Sequence, residues 1–277
     1  MELPWVLGPA DGRYVLRGHA GEPEFVLVLE TIGAPPRRRR RSRFGRSAGR
    51  AEPSPAISSV PVTVATLVGA APIGDPDTAA AWLASTDLQA EVARAVDVLN
   101  GVLHAQRVVR ADPFVREVAA EQALAIRVGI GRGDDVAHGH WEDALLVDPP
   151  ALAVQRRVHA LRPQERFAAL LAGRDVALAA EELTLRARLD LDRGRTREAA
   201  LQLRVALEAA LSELQAWSHH AEMARRLDEL RDERGAVAGA ANRALEGGLE
   251  PAQITDVERA VGRLEAALAA RVAGGLE

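Results

Sequence analysis

Apolar residues follow two different rhythms along the chain, and the change between them separates a β-rich start from a helical remainder. Residues 4–33 predict a small antiparallel meander. Trp5-Val6-Leu7 and Arg13-Tyr14-Val15-Leu16 flank Gly8-Pro9-Ala10-Asp11-Gly12, whose Pro and Asp-Gly supply turn geometry. After Gly21-Glu22-Pro23, residues 25–29 are continuously apolar, the pattern of a strand buried on both faces. A Val- and Thr-rich strand pattern resumes over 60–68. From Asp77 the spacing becomes helical: Ala80 and Leu83 mark a short helix, and Leu88, Val92, Ala95, Val96, Leu99, Val102 and Leu103 mark a long one. Asp112-Pro113 ends that helix and is expected to open another, running to about Ile126.

Beyond Pro149-Pro150 the pattern is almost wholly helical. Pro163 and Gly173 punctuate two shorter helices, and Gly194 separates a helix at about 175–193 from one starting near Arg195. In the latter, Ala200, Leu203, Leu207, Ala210, Leu214, Trp217, Ala221 and Ala224 alternate steps of three and four, a coiled-coil-like seam. A single helix is expected to carry this seam to about Gly235, a length near 60 Å at about 1.5 Å per residue. Such a seam packs within the chain or against a second copy, with Leu203, Leu207, Leu214 and Trp217 as its interface residues. Thr255-Asp256-Val257-Glu258 has capping-box spacing and is expected to open a last helix with Val257, Val261, Leu264, Leu268 and Val272 on one stripe.

These elements predict an α+β fold, with a small N-terminal antiparallel β-sheet followed by a mainly α-helical region of antiparallel hairpins. Three parts are expected: a β element at 1–75 with an insert at about 34–58, a helical middle segment at 76–150 with a Gly/His-rich turn, and a helical domain at 151–277. Residues 187–207 resemble one tetratricopeptide unit: Ala187 stands at a small-residue position, Gly194 at the turn, and Ala199, Leu203, Ala206 and Leu207 follow at matching spacing. The resemblance covers roughly a tenth of the chain and implies that these residues pack between two antiparallel helices. No second copy follows at 34 residues.

Composition narrows the chemistry. Aromatics are only 3% of the 277 residues, so Ala, Val and Leu build the core. The chain has no Cys and no Lys. That excludes disulfides, thiolate metal sites, cysteine nucleophiles, a P-loop lysine and Schiff-base chemistry. The lysine-free, Arg- and Ala-rich usage has the form of high-GC codon bias, a hint of a bacterial source and not of function. The N-terminus lacks a basic start followed by an apolar run, and the longest nearly apolar run, 60–73, is too short to span a bilayer; a cytoplasmic location is expected.

Charge adds one sharp feature. Arg37, Arg38, Arg39, Arg40, Arg41, Arg43, Arg46 and Arg50 fall within fourteen residues that contain no acid. The whole chain has net charge −4; without these eight, 27 arginines face 39 acids, near −12. The segment is bracketed by prolines and too poor in apolar residues to offset its ordering entropy, so a disordered insert is expected. Its arginines suit phosphate contact on a nucleic acid or an anionic membrane surface. They equally suit an acidic protein surface, and a third reading leaves them as a solvated loop.

A second cluster lies at 129–142. Gly129, Gly131 and Gly133 have the density of a phosphate-cradling loop, but a dinucleotide fingerprint would need its third glycine at Asp134. Asp134, Asp135, His138, His140 and Glu142 offer N and O donors of the kind zinc or manganese accepts, although His138 and His140 on a helix would point apart. The competing expectation is a glycine-rich turn followed by a helix cap at Asp134 or Asp135, with Trp141 anchoring it.

The expected function is therefore a scaffold or protein-interaction module, dimeric if its C-terminal helices zip to a second copy. The alternatives are a nucleic-acid or anionic-surface binder through the arginine segment, and a metal-dependent enzyme using 129–142. No cofactor, catalytic residue or transmembrane segment is expected.

Overall fold

A computed structural model describes residues 1–18, 20–33, 60–148 and 163–274. The eight arginines of 37–50 and the Pro149-Pro150 boundary lie outside them. Within the described residues the protein is α+β, and its contacts divide into two compact units, Met1–Ala151 and Leu152–Glu277.

The first unit holds a four-stranded antiparallel sheet of β1 (Glu2–Leu3), β2 (Gly12–Arg17), β3 (Pro23–Ile32) and β4 (Val62–Gly69), in the order β1-β4-β3-β2. Strand β4 pairs with β3 along its full length, from Gly69 opposite Phe25 to Val62 opposite Ile32. Phe25, Leu27, Val28 and Leu29 are all buried, as the unbroken apolar run requires of a strand covered on both faces. Trp5-Val6-Leu7 does not form the expected strand. The chain pairs earlier, at Glu2 and Leu3 against β4, and Val6 is left exposed.

Two helices follow as their periodicity dictates. Asp75 caps α1 (Pro76–Ser85), accepting from the Thr78 amide at 3.0 Å, and Asp87 caps α2 (Leu88–Arg110), accepting from the Gln89 and Ala90 amides. The helix expected after Pro113 does not form. Asn100, fully buried on α2, holds the backbone of Val118, accepting from its N–H at 2.7 Å and donating to its C=O at 2.8 Å. A short 3-10 turn at Ala120–Gln122 then leads into a second, two-stranded sheet, β5 (Arg127–Ile130) and β6 (Asp143–Leu146), joined through α3 (Gly133–Ala137).

The second unit contains α4 (Pro163–Leu171), α5 (Ala179–Asp192), α6 (Thr196–Glu213), α7 (Ala221–Glu246) and α8 (Pro251–Gly274). Helices α5, α6, α7 and α8 pack in sequence, and α8 closes back on α5 and α6. Ala180, Ala187, Ala199, Ala200, Ala206 and Ala210 are fully buried, so small side chains let the helix axes approach. Gly194, at φ +68°, makes the left-handed turn between α5 and α6.

Two boundaries differ from those the sequence predicts. The seam does not ride on one long helix: the chain tightens to a 3-10 turn at Leu214–Trp217 and reverses before α7, while Gly235 lies inside α7. Reversal lets Leu227 and Leu230 of α7 join Leu203, Leu207 and Leu214 in one core, whereas a straight helix would leave that stripe bare. Likewise α8 begins at Pro251, where proline at the first turn costs no backbone bond; Thr255 is internal and its hydroxyl donates to the Pro251 carbonyl at 3.2 Å.

Two charged clusters fasten the bundle. Glu233, buried on α7, is held by Arg259 at 3.1 Å and Arg263 at 2.7 Å, both from α8. Arg271, only 7% exposed, reaches Asp175 at 2.6 Å and Glu181 at 3.4 Å, and its guanidinium lies 4.9 Å from the centre of the Trp217 ring. Arg166 of α4 completes this cluster, bonding Asp175 at 3.0 Å and Glu181 at 2.6 Å. Desolvation pushes the Asp175 carboxyl up, but hydrogen bonds from Arg166, the Val176 amide and Arg271 outweigh it and leave the group below the ordinary aspartate value. A depressed carboxyl contributes stability that is present above its unfolded value and is lost as pH falls through its folded value. The second unit should therefore hold this contribution at neutral pH and shed it below about pH 4. In thermal unfolding against pH, the gap between wild type and Asp175→Asn should be widest near pH 7 and close toward pH 3; a gap constant over that range would contradict the assignment.

Candidate functional site

The chemistry-bearing stretch 129–142 forms one wall of a large groove in the first unit, and its glycines each have a local cause. A Cβ on Gly129 would lie 2.5 Å from the Asp143 carbonyl and 2.9 Å from Ala144 Cα, so the close pairing of β5 with β6 admits no side chain there. A Cβ on Gly131 would lie 2.6 Å from Val136 Cγ2, and Gly133 has φ +47°. Close approach and a turn thus account for the Gly-x-Gly-x-Gly run without a ligand.

The acids and histidines of the stretch are spread, not gathered. Asp134 accepts from Arg13 Nη1 at 2.7 Å, and Arg13 Nη2 lies 3.0 Å from His138 Nε2, so one strand arginine ties α3 to β2. Glu142 pairs with Arg132 at 2.6 Å across the mouth of the β5–β6 hairpin. The His140 amide donates to the Asp135 carbonyl, and the side chains of both residues are exposed. Among the described residues no three His, Asp or Glu side chains come together closely enough to hold a metal ion.

The groove has a volume of about 1260 Å³ and lies alongside β4. Helix α2 forms its floor. Leu99 and Leu103 pack with Leu27, Leu29 and Ala65 under the larger sheet, while Val92 and Val96 pack with Ile126 and Val147 under the smaller one. Helix α3 packs against β4 and covers the opposite face, where Val28 and Thr66 are buried. Among the described residues the two sheets are separate, and β1 lies between them. Glu2 pairs with Val64 of β4 on one side and with Ala125, just before β5, on the other.

Backbone bonding alternates along each wall. Ala70 N–H donates to Glu24 on β3, whereas Ala65 N–H donates to Met1 on the opposite side. Leu67 and Gly69 therefore turn their peptide groups toward the groove. On β5, Val147 N–H donates to the Ile126 carbonyl and Glu142 N–H to that of Ile130, so the even positions serve β6 and Arg127 and Gly129 face the groove. None of these four bonds another described backbone group on that side. At the β1 end, the Met1 amine donates to the Ala65 carbonyl at 3.0 Å; burial, aided by Arg127 and opposed by Glu2, pushes it down to about 6. Glu2 and Arg127 form an ion pair there.

The seam residues Leu203, Leu207 and Leu214 are buried between helices of one chain, and Trp217 packs beside them under Arg271. The arginines of 37–50 lie outside the described residues. No family model, curated protein or solved structure matches the chain. Among the described residues no helix is long and apolar enough to cross a membrane.

Sequence reading identified the 129–142 wall but not the peptide groups opposite it, since backbone edges carry no residue signature. It also passed over Arg13, whose role depends on partners about 120 positions away. Gly129→Ala should cost about 1–3 kcal/mol in urea unfolding, the range for forcing atoms into a packed site. A neutral result would mean that the β5–β6 spacing is not set by this residue.

Proposed function

We propose that this protein is a non-catalytic protein-interaction module whose first unit binds a partner in the groove beside β4. The observation that carries the reading is the pairing of a floor of Val92, Ala95 and Leu99, edged by the Glu91–Arg94 ion pair, with two walls of backbone groups that bond no other described backbone group on that side, a surface suited to peptide. The histidines and acids nearby are tied to arginines or dispersed, which favours adhesion over catalysis. The second unit, with its seam buried inside one chain, serves as a rigid companion domain. A cytoplasmic location belongs to this reading. A benzophenone side chain placed at Val68, in the groove wall, should capture a discrete protein identified by peptide mapping, while one at Val109, which is 83% exposed on α2, should not. Absence of any protein adduct from Val68 in the native host would sink the reading.

A second reading, polyanion binding by the arginine segment, is favoured by its attachment points. Ile32 and Val62 are directly opposite in the β3–β4 ladder, so the intervening residues leave and rejoin the sheet at neighbouring positions. Joining Ile32 to Val62 by Asn-Gly should preserve the sheet, because that dipeptide suits a two-residue hairpin turn. If the arginines bind nucleic acid, the intact chain should lose affinity linearly in log salt, with a slope of about 0.9 per phosphate neutralised, and the shortened chain should not bind. A flat salt response, or equal binding by both chains, would remove this reading.

A further inference from the structure

We infer that the corner at the C-terminal end of α2 is a membrane-docking tip: Val108, Val109 and Phe114 enter an anionic lipid surface while Arg107, Arg110 and Arg116 meet its headgroups. The corner lies outside the groove, so the inference goes beyond the interaction-module reading and does not rest on it.

The chain leaves α2 by a fixed turn. Ala111 caps the helix at φ +50°, the Asp112 N–H donates to the Arg107 carbonyl at 3.1 Å, and the Asp112 carboxylate accepts from the Phe114 N–H at 2.9 Å. Val115 then packs on the core that holds Leu99 and Leu103, and Phe114, one residue earlier, is left outside it. Val109 is 83% exposed and Phe114 81%, the highest values for any large apolar side chain among the described residues, and Val108 is exposed with them. Single exposed valines are ordinary on a protein surface, but several bulky apolar side chains at one helix end mark a contact.

The arginines around this tip are not ion-paired. Among the described residues of this unit, ion pairs engage Arg13, Arg94, Arg127 and Arg132, and Arg107, Arg110 and Arg116 enter none. Arg110 donates to the Gly8 carbonyl at 3.3 Å and Arg107 lies 3.0 Å from His104 Nδ1, which leaves most of their donors open. Over 104–116 the one acid is Asp112, whose carboxylate serves the turn, and Glu117 follows with its Oε1 buried. Arginine in a last helical turn also offsets the helix dipole, but that accounts neither for Arg116, beyond the turn, nor for the valines. A nucleic acid would use the arginines and offer the valines no apolar interior. An acidic protein would need a cavity shaped to a projecting corner. A lipid surface takes both parts, with apolar side chains at the acyl boundary and guanidinium groups among the headgroups.

The chain has no cysteine, so Val109→Cys gives a single attachment point for an environment-sensitive fluorophore. The control label goes on Leu146→Cys, exposed on β6. Gln89, at the start of α2, donates to the Asp148 carbonyl close by, which sets the control about 35 Å, the length of α2, from the tip. The full chain is mixed with phosphatidylcholine vesicles containing about one-third phosphatidylserine. The label at 109 should shift to the blue and be quenched by nitroxide-bearing acyl chains, and the label at 146 should do neither. Replacing Arg107, Arg110 and Arg116 together by Gln should weaken partitioning about 100-fold, at about fivefold per arginine. Phe114→Ser should weaken it about 10-fold, and Phe114→Leu, which keeps an apolar tip, should not. A label at 109 that stays in water while the chain binds these vesicles would overturn the tip, since other residues would then carry the binding. Equal partitioning into pure phosphatidylcholine would overturn its anionic character. A response to duplex DNA or polyglutamate without one to vesicles would reassign the corner to a nucleic acid or an acidic protein and overturn the lipid assignment, as would a protein adduct from benzophenone at Val109.

Discussion

The first unit depends on one helix shared by two sheets. Helix α2 lends Leu99 and Leu103 to the core under β3 and β4, and Val92 and Val96 to the core under β5. A single amphipathic stripe, 23 residues of helix long, thereby holds the two sheets side by side without hydrogen bonds between β4 and β5. Fixing both walls to a common floor is what gives the groove a defined width, since neither sheet could shift without giving up its share of buried apolar surface. Asn100 reinforces the arrangement by pinning Val118 to the same helix, and its loss would strand two buried backbone groups.

The second unit solves a different problem by similar means. With few aromatics available, it relies on alanines at the crossings and leucines between them, so its stability depends on close approach rather than on large side chains. The buried Glu233 and Arg271 clusters sit where helices meet, and each buried charge has a partner of opposite sign. Such clusters add little net stability compared with apolar packing, but breaking one side leaves an uncompensated buried charge at a cost of about 3–5 kcal/mol. They therefore penalise misaligned helix pairings more than they strengthen the correct one.

What the sequence makes legible follows from how local the determining forces are. The continuous apolar run at 25–29 and the helical spacing from Leu88 to Leu103 specify their elements because burial on two faces or one stripe is written into neighbouring residues. The break after Leu214 was hidden because the three-and-four stepping runs straight through the reversal; only the need to cover Leu203 and Leu207 with α7 reveals it. β5 and β6 are four residues each, too short for any periodicity to distinguish. The groove itself exists only in three dimensions, since its walls are about 60 residues apart and its donors are peptide groups.

The residues that flank the arginine segment and the peptide groups that face the groove occupy different ends of the same strand pair. The segment departs and returns at Ile32 and Val62, whereas the groove-facing peptide groups begin beyond Ala65 and extend to Gly69. From Val62 to Gly69 a β-strand advances about 24 Å at roughly 3.4 Å per residue. That exceeds the screening length of about 8–10 Å at physiological salt, so a charge held at the Ile32/Val62 end would act only weakly on exposed groups near Gly69. A contact made by the arginines and a contact made in the groove would then be separable by salt: the first weakens steeply as ionic strength rises, while the second, built on apolar burial and backbone hydrogen bonds, does not. On the proposed reading, recognition through the groove and recognition through the arginines would then differ in physical kind, and salt alone would tell them apart.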